Sequence, residues 1–246
     1  MSPIFSGRGI VLDIEGTVSP YAYVHEVLFP YARRALGLFL RQHWNRPDVA
    51  AAQEQVARDL GHPSFREWCA REGRPPEFWL ADLKAELLRQ MDQDAKTTGL
   101  KEFQGLIWRD GFTSGELKSQ IFPDVPRALE RWSAKGKTLA VYSSGSVTAQ
   151  KLFFGHSDHG DLTPFFRHYF DTTTGPKRVA DSYRAIARDM DLPAETLLFV
   201  SDVVEELDAA RTAGFRTLLA LRPGNPPVSR LHDHPSIENF SQLKVA

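Results

Sequence analysis

The stretch GIVLDIEGT, residues 9–17, decides how this chain is read. GIVL is a short apolar run with no polar alternation, which marks a strand covered on both faces. Asp13 ends it with no basic neighbour in sequence, Glu15 follows two positions on, and Gly16-Thr17 turns the chain away. A carboxylate at the end of a buried strand is unfavourable to build unless something pairs with it. The rest of the sequence is therefore read for what could meet Asp13.

Working outward, TLAVYS (138–143) and LLFVSD (197–202) have the same character, and the second also ends in an acid. HYFD (168–171) reads as a shorter strand and FRTLLAL (215–221) as the last one. Single helices separate them. One runs from an Asp124 cap through Trp132 and closes at Gly136, and another covers 146–154. A third covers 179–190 with Val179, Tyr183, Ile186, Ala187 and Met190 inward, and a fourth ends at Ala213 before Gly214. RPGNPP (222–227) is turn-rich, and SIENFSQL (236–243) is expected to dock as a short helix. Strands spaced by single helices predict right-handed βαβ units and a parallel, Rossmann-like α/β sheet.

From Tyr21 to Ile121 the pattern is helical almost throughout. Val24, Val27, Leu28, Tyr31, Ala35, Leu38 and Phe39 recur at three- and four-residue steps and predict one apolar face. Further helices are expected near 48–60, 64–72, 77–92 and 100–110, broken at GHP, GRPP and TTG. Only one strand is read before this block. The predicted organisation is thus an α/β core of residues 1–19 and 122–246, with an all-helical cap, 20–121, inserted after strand 1.

The net charge of −1 over 246 residues leaves no basic footprint for nucleic acid or an anionic membrane. No apolar run approaches the roughly 20 residues that span a bilayer, and MSPIFSGRG lacks the order of a signal peptide. Cys69 is the single cysteine, so no intramolecular disulfide forms, and it reads as a buried structural thiol. A cytoplasmic protein, acting as a monomer without nucleic-acid or membrane partners, is expected.

In an open parallel sheet the ligand crevice lies at the carboxyl ends of the strands. Four such ends carry polar residues here: Asp13 with Glu15 and Thr17, the run Ser143-Ser144-Gly145-Ser146, Lys177 after HYFD, and Asp202 with Glu205 and Glu206 following. Each alone has an ordinary structural explanation, such as an N-cap for Ser146 or a solvated loop for Lys177. Together they imply more. Two carboxylates converging from different strands repel unless a cation lies between them. Hard oxygen ligands few in number suit Mg²⁺, which keeps waters and shares a phosphate. Hydroxyls and amides at a helix start cradle an anion, and a lysine adds neutralising charge. That combination points to phosphoryl transfer through a carboxylate nucleophile.

The order Asp-x-Glu-Gly-Thr, Ser-Ser-Gly, Lys, Ser-Asp resembles the four motifs of the haloacid dehalogenase superfamily of phosphohydrolases. The resemblance implies Asp13 as nucleophile and metal ligand, and Glu15 as general acid and base that lends its carbonyl to the metal. It implies Ser143 or Ser144 on phosphate oxygens, Lys177 positioning phosphate and nucleophile, and Asp202 as a further ligand of one Mg²⁺. Glu206 falls where an accessory acid stands, and Glu205 has no matching role. Most phosphatases of the superfamily carry Asp where this chain has Glu15. DIEGT, LFPYA, KTTGLK with FQGLIWR, YSSGSV with AQKLFFGHS, and RPGN resemble the enolase-phosphatases of methionine salvage, from residue 10 to residue 225. The substrate so implied is a small phosphorylated diketone that must lose a proton from carbon 1 as well as its phosphate. The longer arm of Glu15 is expected to serve that proton transfer.

Selection of the substrate is expected from the cap, where Lys96, Thr97, Thr98 and Gln104 are candidates. Trp108 reads instead as core, Lys101 and Arg109 as solvent-facing, and His156 as a hydrogen-bonded structural histidine. The competing readings are a phosphatase of the same core acting on another sugar phosphate or nucleotide, and a phospho-accepting receiver module. The receiver is disfavoured by the long helical insertion and by an acceptor acid on the first strand.

Overall fold

Ile4–Phe5 (β1) and Gly9–Leu12 (β2) open the chain in a computed structural model that describes residues 3–70 and 74–246. The extra strand β1 lies before the run read as strand 1. Two residues bounded by Pro3 and Ser6 are too short for any periodicity to register. The chain divides into two compact units, Met1–Val24 with Lys118–Ala246, and His25–Leu117.

A π-helical turn, Tyr23–Leu28, leads into α1, Phe29–His43. Then come α2, Pro47–Asp59; α3, Phe65–Ala70; α4, Trp79–Asp92; and α5, Thr98–Ser114. The apolar face expected through Ala35 and Leu38 is displaced. Leu36 and Leu40 are buried while Leu38 is half exposed. Leu28, Tyr31 and Phe39 of the expected face are buried, so the difference is confined to its edge, where Leu36 and Leu40 replace Leu38. Gly99 lets α5 approach α2 closely, since a Cβ there would lie 2.7 Å from Val56 N. The end of the helix expected over 64–72, and the Gly73 breaker, lie outside the described residues.

The remaining elements alternate as the sequence pattern requires: α6, Val125–Ala134; β3, Thr138–Tyr142; α7, Val147–Gly155; β4, Phe166–Phe170; α8, Ala180–Asp189. After them come β5, Leu197–Ser201; α9, Val204–Thr212; β6, Arg216–Ala220; β7, Ser236–Ile237; and β8, Lys244–Val245. Val179 is exposed, not inward, because it precedes α8 in extended conformation and stands outside the helical period. Asp124 does not cap α6 with its side chain. The tail holds only a 3₁₀ turn, Phe240–Gln242, between β7 and β8, and β8 pairs with β1 as a separate small sheet.

The main sheet is parallel in the order β4-β3-β2-β5-β6-β7, so the strand order reverses on either side of β2. GIVL is buried at every position because β3 and β5 flank it and both faces are covered. Leu12 pairs with Val141 and Val200, which sets Asp13, Ser143 and Asp202 at one edge of three adjacent strands. This is a topological switch point, where open α/β sheets bind ligands. Among the described residues no helix is long and apolar enough to cross a membrane.

Candidate active site

Asp13 leaves the sheet with its amide still in the ladder, donating to Val200 O at 3.0 Å. The chain then folds tightly on itself. The amides of Thr17, Val18 and Ser19 all donate to Ile14 O, and Gly16 N donates to Ser19 O. Gly16 adopts φ +68°, and a Cβ at this position would lie 2.3 Å from Asp202 Oδ2. Glycine is therefore required both by the turn and by the carboxylate pressed against it. Glu15 sits on this loop, half-buried.

Lys177 meets the Asp13 carboxylate. Its Nζ stands 2.6 Å from Asp13 Oδ1 and 2.6 Å from Glu206 Oε2, with both carboxylates and the lysine largely enclosed. Tyr183 OH donates to Lys177 O at 2.7 Å and Tyr142 OH donates to Gly175 O at 2.8 Å, which fixes the loop carrying the lysine. The ammonium also lies 5.8 Å and 5.9 Å from the ring centroids of Tyr142 and Phe199. Glu206 is steadied in turn by Ser201 Oγ, which donates to its Oε2 at 2.9 Å.

Charge in this cluster is unbalanced, with Asp13, Asp202 and Glu206 around a single lysine. Burial pushes the Asp202 carboxyl up to about 7, and the neighbouring charges of Asp13 and Glu206 push the same way. Burial, then the Asp13 charge, also raises Glu206 against the pull of Lys177. Burial works to lower Lys177, yet the Asp13 and Glu206 charges and hydrogen bonds prevail and hold it above the usual lysine value. The lysine stays cationic and the carboxylates stay in excess.

Among the described residues no three His, Cys, Asp or Glu side chains are arranged to hold a metal ion. A divalent ion here would draw on Asp13 and Asp202, with backbone carbonyls, water and a ligand's oxygens completing its shell. That donor set fits Mg²⁺, which commonly takes one or two carboxylates and keeps waters. The carboxylate excess that lifts Asp202 is what such an ion would neutralise.

Ser143 lies half-buried just past β3. Its amide donates to Phe170 O, and its Oγ accepts from Gly145 N at 3.3 Å. Ser144 is exposed at the same sheet edge. Ser146 is spent as the α7 cap, accepting from Ala149 N at 3.2 Å. Glu205 points outward, exposed. In the helical unit Trp108 donates from Nε1 to Leu28 O at 2.9 Å, and Arg109 pairs with Asp48. His156 contacts Leu152 O through Nδ1 at 3.0 Å.

Two residues of RPGN escaped the sequence reading. Arg222 Nε donates to Thr17 O at 2.8 Å, and its Nη1 reaches both oxygens of Asp124 at 3.0 and 2.9 Å. Asp124 also accepts from Phe240 N at 2.6 Å, which explains why it does not cap α6. Asn225 Nδ2 donates to Gly16 O at 2.8 Å. These loop partners are 205 and 209 residues away in sequence, so no local pattern signals them.

Comparison with known proteins gives a consistent picture. Residues 8–214 match the haloacid dehalogenase-like hydrolases. The chain is 46% identical over 244 residues to the enolase-phosphatase E1 of Alcanivorax borkumensis, covering 97% of this chain and 99% of that protein. It is 45% identical over 241 residues to the enolase-phosphatase E1 of Pseudomonas aeruginosa, covering 97% and 98%. The crystal structure of the UTR4 protein of Saccharomyces cerevisiae superposes with a TM-score of 0.77 at 33% identity, covering 97% of this chain and 100% of that one. The L-2-haloacid dehalogenase RSc1362 shares the fold alone, with a TM-score of 0.54 at 21% identity over 96% of each chain.

Proposed function

The chain belongs to the haloacid dehalogenase-like hydrolases and, within them, to the enolase-phosphatase E1 family, and from that premise we propose the reaction its residues perform. It enolises and dephosphorylates 2,3-diketo-5-methylthiopentyl 1-phosphate in methionine salvage, giving 1,2-dihydroxy-3-keto-5-methylthiopentene and phosphate. The observation that carries the assignment of roles is Lys177 Nζ held at 2.6 Å from both Asp13 and Glu206, at the switch point of the sheet.

Asp13, Asp202 and the Glu15 carbonyl would hold Mg²⁺, which when bound would neutralise charge and polarise an oxygen of the substrate. Lys177 and the Ser143 and Ser144 hydroxyls hold the phosphate oxygens. Glu15 takes a proton from carbon 1, and the carbonyl oxygen at carbon 2 takes one from solvent, giving the enol phosphate. An Asp13 oxygen then attacks phosphorus. The bond from phosphorus to the carbon 1 oxygen breaks as Glu15 gives that oxygen a proton, leaving an aspartyl-phosphate and the product. Water activated by Glu15 attacks the aspartyl-phosphate and restores Asp13. Lys177, kept cationic by its two carboxylates, offsets the charge gathered around phosphorus.

The same reading takes residues 20–121 as an inserted cap, one Mg²⁺ per chain, and a monomer acting in the cytoplasm. An ultraviolet time course with the diketone phosphate and Mg²⁺, run beside phosphate release, tests it. An enol absorbance that rises with phosphate supports the assignment. Absence of both signals defeats it, and phosphate release from many simple esters without enol product replaces it with a broad sugar-phosphate or nucleotide phosphatase.

A further inference from the structure

RPGN, residues 222–225, has no task in the reaction as written, yet both of its polar side chains turn back onto the loop that follows Asp13. The turn brings them together, with Asn225 N donating to Arg222 O at 3.2 Å. Their surroundings differ. Arg222 is enclosed between the Phe122 and Phe240 rings, at 4.6 and 4.4 Å from their centroids, and is matched by Asp124. It is a structural tie, neutral in sum.

Asn225 stands between two parts of the active site. Its Nδ2 donates to Gly16 O at 2.8 Å and lies 3.4 Å from Asp202 Oδ2 and 3.5 Å from Ala220 O. All three neighbours are acceptors, so the amide orientation is forced; flipping it would set Oδ1 against three oxygens. Among the described residues Asn225 Oδ1 is buried without a hydrogen-bond partner. A buried acceptor left in that state is unfavourable, and the position is explained by what the NH₂ group does. It is an uncharged donor set joining the loop that carries Glu15 to the carboxylate at the end of β5. A cation there would compete for Asp202, and a hydroxyl would supply one donor in place of two.

We propose that Asn225 is a positioning residue: it holds the Asp202 carboxylate against the Gly16 carbonyl and thereby fixes the donor set offered to the divalent ion. It touches neither substrate nor nucleophile. The proposal rests on Asp202 serving as a metal ligand, as assigned above. Outer partners of metal ligands act by orienting them, and their loss typically weakens metal affinity or activity about 10–100-fold.

The test uses the full chain freed of metal. Mg²⁺ binding is followed by calorimetry without substrate in the wild type, in Asn225→Ala and in the near-isosteric Asn225→Leu, beside thermal unfolding of each metal-free protein. The expected result is an Mg²⁺ dissociation constant raised about 10-fold or more in both variants, with melting temperatures within a few degrees of wild type. In turnover assays kcat at fixed Mg²⁺ falls and recovers as Mg²⁺ is raised, while KM for the phosphate ester changes little. Equal Mg²⁺ affinity in wild type and variants overturns the proposal and leaves the metal reading standing. A loss of affinity that appears only together with a matching loss of melting temperature in both variants overturns it too, in favour of a structural role. A wild type that takes up no Mg²⁺ overturns both the proposal and the metal reading.

Discussion

Two buried cations of the α/β unit are partnered in opposite ways. Arg222 meets one carboxylate, Asp124, and lies between two aromatic rings with its guanidinium almost wholly enclosed. Lys177 meets Asp13 and Glu206 at once, and their charges also bear on Asp202. In the first cluster charge is balanced. In the second, carboxylates outnumber the cation. A balanced buried pair is roughly neutral for stability, and breaking it leaves one charge stranded. An unbalanced cluster is unstable by itself and persists where a ligand or ion is meant to complete it. The contrast separates a tie from a site by physics alone, and each half makes its own demand on mutation.

The largest effect is expected at Asp13. Asp13→Asn removes the proposed attacking carboxylate and should lower kcat by at least about 10⁴-fold, the scale seen when a nucleophile is lost. Its melting temperature should fall little or rise, because one of the crowding negative charges goes and Lys177 keeps Glu206. Activity and melting curves on one preparation check both parts. A large loss of stability would show that the Asp13–Lys177 pair is a tie like the other one. Asp124→Ala is the converse. Stranding Arg222 should destabilise by about 3–5 kcal/mol, read as a lower denaturation midpoint. Below that midpoint kcat should stay within about threefold of wild type, since Asp124 lies outside the proposed chemistry.

How much of this was legible in the sequence follows the same division. β2, β3 and β5 stood out because strands covered on both faces are continuous apolar runs. Asp13 and Asp202 stood out because each follows such a strand, and Lys177 because it lies in the loop after the edge strand β4; the parallel topology brings those ends together. The balanced pair was invisible. Asp124 looked like an ordinary helix cap, and Arg222 like part of a solvated turn, because their meeting spans 98 residues and depends on the tail folding back. Asn225 was hidden for the same reason. The buried face of α1 was legible at Tyr31 and Phe39 but not at its edge, where Leu36 and Leu40 are enclosed and Leu38 is not.

Charge imbalance should also show in the pH dependence of the metal-free protein. Asp202 has its carboxyl raised to about 7 in the folded chain against an ordinary value of 3.8. Between those values the folded state binds more protons than the unfolded one, so stability falls as pH rises and levels off above about 7. Glu206, also raised, adds the same sign. Lys177 is raised above a lysine's ordinary value, so its contribution is fully present throughout this window. Denaturant unfolding with chelator at pH 5, 6 and 7 should lose on the order of 1 kcal/mol per pH unit, and added Mg²⁺ should flatten the slope. Asp202→Asn should flatten it without metal. A flat wild-type profile would mean that the carboxylates are already balanced, and the contrast with Arg222 would collapse.

The smallest effect repeats the contrast within the short run SSGS. Ser146 closes its hydroxyl onto Ala149 N as the α7 cap, a purely local use. Ser143 accepts only a long bond from Gly145 N, at 3.3 Å, and stands at the strand end beside Asp13. Ser146→Ala should therefore lose about 1 kcal/mol of stability, a shift of about 2–4 °C in melting temperature, with KM for the diketone phosphate unchanged. Ser143→Ala should raise that KM several-fold, about 1 kcal/mol of lost binding, with melting unchanged. Parallel kinetics and melting on the two variants decide the matter. If both change KM, the helix start itself grips the phosphate; if neither does, the phosphate is held by Lys177 and the metal alone.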